Sequence, residues 1–137
     1  MELLPKTPTS QGPAERFTGD VWVDMLAEAA PSSRLTAGIV RFAPCARTAW
    51  HRHALGQTLY VTEGIGLVQT RDGHTIVLRP GDTVHTPPGE WHWHGATPDR
   101  FMTHLALSER TDEPGTADVE WGEHVDDETY RKAAQAR

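Results

Sequence analysis

The sequence predicts an all-β domain, a barrel or two-sheet sandwich, closed by one short C-terminal helix. Three observations carry that prediction. From Phe17 onward the chain runs in short stretches rich in Val, Ile, Thr and aromatic residues, the residue types that fit a pleated, half-buried surface. Gly, Pro and Asp interrupt those stretches at intervals, as turns between strands require. Only at Asp126-Asp127-Glu128 does the pattern change to a helical one.

The elements follow in order. Residues 1–16 read as an extended arm: prolines, threonines, a serine and a glycine precede any apolar periodicity, so order is expected from packing on a partner subunit. Residues 17–125 form the β-barrel. Its candidate strands run over 21–26, 36–42, 49–53, 58–62, 66–70, 75–78, 83–86, 92–96 and 102–107. Asp72-Gly73 marks a hairpin, because glycine supplies the positive φ of a tight primed turn. Pro80-Gly81-Asp82 and Pro87-Pro88-Gly89 mark two further turns. Residues 126–137 form the helix: Asp126 is an N-cap candidate, acidic residues open the first turn, and Arg131 and Lys132 close the last, matching the helix dipole.

Composition excludes several classes of function. A chain of 137 residues with 37% hydrophobic and 23% charged residues fits one globular domain, long enough to fold without disulfide staples. Cys45 is the only cysteine; it is expected to be a buried apolar residue, and the absence of any internal bridge points to the cytoplasm. No apolar run approaches the roughly 20 residues of a membrane helix, so a soluble protein is expected. With 19 acidic residues against 13 basic ones and a net charge of -6, the footprint for gripping phosphates is missing, and no nucleic-acid partner is expected.

Histidine is the exception in this composition, with seven of the eight lying between His51 and His104. In a strand, the two-residue spacing of His51 and His53 sends both imidazoles to one face. His92 and His94 repeat that spacing behind the Pro-Pro-Gly turn, and Gln57 follows a bend after His53. Three or four neutral nitrogens and an amide oxygen converging on one point suit a divalent first-row metal such as Mn, Fe, Ni or Zn. Four protein ligands leave coordination positions open, as a catalytic site needs. A lone histidine in such a strand ordinarily serves as a hydrogen-bonded surface or core residue, so His74, His85 and His124 are assigned no role. Trp22, Trp50 and Trp121 read as core or rim residues, and Trp91 and Trp93 as packing on the far side of the His92 strand.

At these residues the chain resembles a single-domain cupin, a double-stranded β-helix or jelly-roll barrel. Cys45 stands at the first glycine of the first cupin motif, followed by His51, His53, Gln57 in place of Glu, and Gly64; the second motif reads Gly81, Pro87, Gly89 and His92, with Ala96 in place of Asn. Stretches 49–60, 87–96 and 102–106, with the tail 123–130, are similar to the small bacterial manganese cupins that act as hydroxynitrile lyases. That resemblance implies a Mn(II) site held by His51, His53, Gln57 and His92, with His94 and His104 as polar groups of the pocket. Gln57 has a physical consequence: a His3Gln shell leaves a divalent ion at +2, a stronger Lewis acid than the +1 of a His3Glu shell.

The expected reaction is reversible cleavage of an aromatic cyanohydrin to aldehyde and cyanide. His104 is the first choice for general base, because alternation along Met102, His104 and Ala106 places it on one strand face, and His94 is the second. Gly38 and Val40 are expected to line the substrate pocket. Two readings from other classes compete: another metal-dependent cupin enzyme (dioxygenase, isomerase or aldol-type lyase), and a non-catalytic small-molecule binder. The expected partners are a small-molecule substrate and further copies of the chain, in a homodimer or homotetramer.

Overall fold

The computed structural model describes residues 1–136. Two curled antiparallel sheets enclose the interior. The first has the strand order β1 (Ser10–Gln11), β3 (Val21–Ala27), β4 (Leu35–Phe42), β12 (Met102–Glu109), β7 (Gln57–Gly64), β10 (Thr83–Thr86). The second is built around β11 (His92–Ala96), which pairs on one side with β8 (Gly66–Thr70), itself paired to β9 (Thr75–Leu78). On its other side lie β6 (His51–His53) and β5 (Arg47–Thr48); β13 (Val119–Trp121) and β2 (Phe17–Thr18) complete the sheet. The expected strand over 49–53 begins only at His51, because Ala49 and Trp50 leave the ladder between β5 and β6, with Trp50 N–H donating to Glu123 O at 3.0 Å.

Two apolar clusters show what each sheet face does. Between the sheets, Val21, Phe42, Val61, Leu78, Ala96 and Met102 pack one end of the barrel. Behind the second sheet, Leu67, Trp93 and Trp50 pack against Val125 and the helix α1 (Asp127–Ala134) through Tyr130, Ala133 and Ala134. Strand alternation explains both: His92 and His94 face the interior while Trp93 faces the helix. Asp126 caps α1 by accepting from Thr129 N–H at 2.7 Å, as its sequence predicts. Tyr130 donates its hydroxyl to Ala96 O at 2.7 Å, and Arg47 ties Val125 O to Asp127. The backs of the site strands are thus held rigid by α1.

Two backbone positions bear on the sequence motifs. Gly64 has φ +78°, and a Cβ there would collide with the carbonyl oxygen of Phe101, so only glycine fits. Cys45 occupies the first motif glycine with φ +71° and is exposed. The expectation of a buried cysteine is corrected: a turn in the left-handed region places the side chain outward.

The N-terminal arm lies on its own chain. Thr7 donates its hydroxyl to Met25 O at 2.8 Å, Thr9 bonds the Asp24 carboxylate, and Ser10–Gln11 adds a strand to the β3 edge. That edge offers unpaired backbone groups, which the arm satisfies.

Candidate functional site

The site lies between the sheets, beyond the apolar cluster that fills the other end. The second sheet contributes His51 and His53 from β6 and His92 and His94 from β11, with His51 and His92 directly paired in register. The first sheet contributes Gln57 from β7 and His104 from β12. His104 sits at a register shift, where β12 slips by one residue against β7 between Thr103 and His104; such a bulge re-aims a side chain locally. Phe42 separates core from site, with its ring 5.3 Å from that of His104 and 5.8 Å from that of His94.

One ligand atom each from His51, His53 and His92 lies within 4.8 Å of the others, and all three residues are buried. Their hydrogen bonds settle the tautomers. His51 Nδ1 faces Ala49 O at 2.9 Å and His92 Nδ1 faces Glu90 O at 2.9 Å. A carbonyl only accepts, so each Nδ1 carries the hydrogen and each Nε2 keeps its lone pair. His92 Nε2 then stands 3.2 Å from Gln57 Oε1, two lone pairs with no hydrogen between them. Both nitrogens of His53 are buried without a protein partner. Orphaned nitrogens and facing lone pairs are the arrangement a shared divalent cation satisfies, and a neutral nitrogen and oxygen donor set suits a first-row ion. The residues present therefore fit a divalent metal.

Burial keeps these imidazoles neutral. Desolvation, reinforced by the neighbouring His92, pushes His53 down to about 4, and it drives His51 well below the ordinary 6.5. Burial alone lowers His92, and it brings His104 to about 4. His94 is pushed well down by burial and then by His104. Below pH 6.5 the unfolded chain takes up protons that the folded site refuses, so this stability is complete above 6.5 and is lost as pH falls through 4. For His53 and for His104 the loss reaches about 3 kcal/mol each by pH 4. Thermal melts of the metal-free protein between pH 7 and 4 are expected to show a steep fall in Tm, shallower for His104→Gln; a flat profile would contradict neutral burial.

His104 Nε2 and His94 Nδ1 are 3.0 Å apart and share one hydrogen. His104 Nδ1 and His94 Nε2 remain without protein partners. Beside the histidines opens a cavity of about 340 Å³, walled by His51, His53, Gln57, His94 and His104 and by the apolar side chains of Val23, Met25, Val40 and Phe17. Val40 is among the side chains that line this cavity. Gly38 does not reach the cavity: Met25 Sδ lies 3.4 Å from where its Cβ would be, so Met25 forms the wall on that side. His74, His85 and His124 stay outside, His85 bonding Thr58 on the barrel exterior.

The site also holds a residue that the sequence placed only as core or rim. Trp121 stacks on the His51 ring, 4.7 Å between centroids and 26° between planes, and lines the cavity. Its strand is only three residues long, bounded by a loop rich in Gly, Pro and Asp. The Val-Glu-Trp-Gly alternation was the one signal available.

Comparison with known proteins decides the family. The sequence matches the family described as "Cupin domain" over residues 38–106, from β4 through most of β12. It is 54% identical to an (R)-mandelonitrile lyase of Granulicella tundricola over 125 residues, 90% of this chain and 92% of that protein. The chain is a cupin. Among solved structures this cupin is similar to a cupin-like protein from Thermotoga maritima, at 37% identity and TM-score 0.86 with both chains fully covered. A polyketide cyclase from Streptomyces resistomycificus shares the fold at 20% identity and TM-score 0.70, covering 96% of this chain and 91% of its own.

Proposed function

We propose that this cupin is a metal-dependent hydroxynitrile lyase, reversibly cleaving an aromatic, mandelonitrile-like cyanohydrin to aldehyde and cyanide. The carrying observation is the coincidence of near full-length identity to a mandelonitrile lyase with a buried cluster of three histidines and one glutamine. His51, His53, Gln57 and His92 would hold the ion. Manganese(II) is the ion we assign first, with iron, nickel or zinc as alternatives that the same donors accept. When bound, the ion supplies Lewis acidity at the substrate's hydroxyl oxygen.

The protein's own groups do the rest. The His104–His94 pair, held neutral by burial, accepts the hydroxyl proton, with His104 as the base and His94 as its hydrogen-bonded partner. As the carbonyl forms, the bond to the nitrile carbon breaks and its electron pair leaves with cyanide. The imidazolium then returns the proton to cyanide, releasing hydrogen cyanide and resetting the pair. Val23, Met25, Val40 and Phe17 receive the aryl group and keep water from the developing charge. Tight hydrogen bonding of His51 and His92 to backbone carbonyls holds the ring orientations that a ligand set needs.

A dioxygenase reading has one supporting comparison: 32% identity to gentisate 1,2 dioxygenase 1 of Aquipseudomonas alcaligenes over 71 residues, only 20% of that protein. Gln57 argues against it, because a neutral fourth donor stabilises high-valent iron less well than a carboxylate would. The manganese-loaded protein is expected to release benzaldehyde from mandelonitrile and to consume no oxygen with gentisate. Oxygen uptake without benzaldehyde release would reverse the assignment.

We also infer self-association, as a homodimer or homotetramer, from the outer face of the first sheet, where Trp22, Leu26 and Tyr60 are exposed. Among the described residues no helix is long and apolar enough to cross a membrane, and the free Cys45 suits the reducing cytoplasm.

A further inference from the structure

The cavity mouth carries one cation that the lyase reading does not use. Arg16 lines the cavity and lays its guanidinium over Trp121, 5.2 Å from the ring centroid, two stacking steps from the ligand-bearing His51. Its backbone is pinned: its N–H donates to Pro13 O at 3.0 Å, and its carbonyl accepts from Ala49 N–H at 2.8 Å. Its exposed head is not spent on an acid, since no ion pair involves Arg16 among the described residues, and it is the one Arg or Lys among the residues that line this cavity. Nor does any Asp or Glu line this cavity, in a chain whose net charge is -6. A planar, fixed-charge fork resting on an aromatic face is suited to bidentate capture of a carboxylate.

We propose that Arg16 forms an anion subsite at the cavity mouth, which makes the protein prefer substrates whose aryl group carries a carboxylate at the end remote from the reacting carbon. This deepens the lyase reading and rests on it for the orientation of the substrate, with the hydroxyl at the histidine cluster and the far end of the ring toward Trp121. Cation and aromatic face act together: the ring of Trp121 holds the guanidinium in place, and the apolar cavity wall holds the aryl group between the two polar ends.

The test is a binding measurement that needs no turnover. Quenching of tryptophan fluorescence in the intact metal-loaded protein is followed with two unreactive probes, 4-(hydroxymethyl)benzoate and 4-(hydroxymethyl)benzamide, which differ only in charge at the remote end. The benzoate is expected to bind about tenfold tighter or more, with the preference shrinking as salt screens the exposed pair. In Arg16→Gln the two dissociation constants should converge, and Arg16→Lys should retain part of the difference. The same ratio in Arg16→Gln as in the wild type, equal binding of both probes by the wild type, or no binding of either would each overturn the subsite. Failure of the lyase reading shows separately, as a loaded protein that releases no benzaldehyde from mandelonitrile whatever the binding ratio.

Discussion

Replacing His92 by alanine is expected to remove the metal and to lower cyanohydrin cleavage by about 10³-fold or more, the scale of several kcal/mol of lost charge stabilisation. His92 is fully buried and central to the second sheet, and its imidazole shares the lone-pair contact with Gln57. Because deleting a buried ring also weakens packing, His51→Gln serves beside it. That exchange keeps most of the volume while withdrawing the nitrogen oriented by Ala49 O. Both variants should melt cooperatively, bind less than stoichiometric metal by elemental analysis and lose turnover together. A variant that retained one ion per chain and wild-type turnover would show that these imidazoles are packing residues.

The second large effect is expected at His104. Truncation to alanine should lower kcat by about 10²–10⁴-fold, the range for loss of a positioned base, while leaving metal content intact, since His104 stands outside the cluster of His51, His53 and His92. His104→Gln can still bond His94 Nδ1 but cannot take a proton, and it should fare no better in kcat than alanine. The proposed base works as neutral imidazole, so in the wild type activity is expected to fall toward acid as the pair protonates. A kcat within twofold of wild type in both variants would move the base to His94.

Much of this site was legible because strand periodicity is strict. The two-residue spacings of His51 with His53 and His92 with His94 put all four rings on inner faces, and Trp93, one position off, packs under Tyr130 as alternation demands. The helix start was legible from Asp126, whose short side chain reaches an otherwise unsatisfied N–H. What escaped depended on contacts between segments distant in the chain. Met25 displaces Gly38 from the cavity wall because β3 and β4 pair those two positions directly, which nothing local encodes. Trp121 meets His51 through a three-residue strand whose pairing is set by β6, not by its own pattern. The arm folds back on β3 to satisfy an edge that exists only once the sheet is built. Cys45 adopts a left-handed turn conformation that its residue type does not advertise.

The central claim, that a neutral shell of three histidines and one glutamine holds the ion that makes this cupin a lyase, is tested most directly by titrating metal-free protein with manganese(II) while following bound metal and benzaldehyde release from mandelonitrile in the same samples. Activity is expected to rise in proportion to occupancy, to reach its maximum at one ion per chain and to vanish on chelation. Full activity in the metal-free sample, or a fully occupied site that cleaves no mandelonitrile, would contradict that claim.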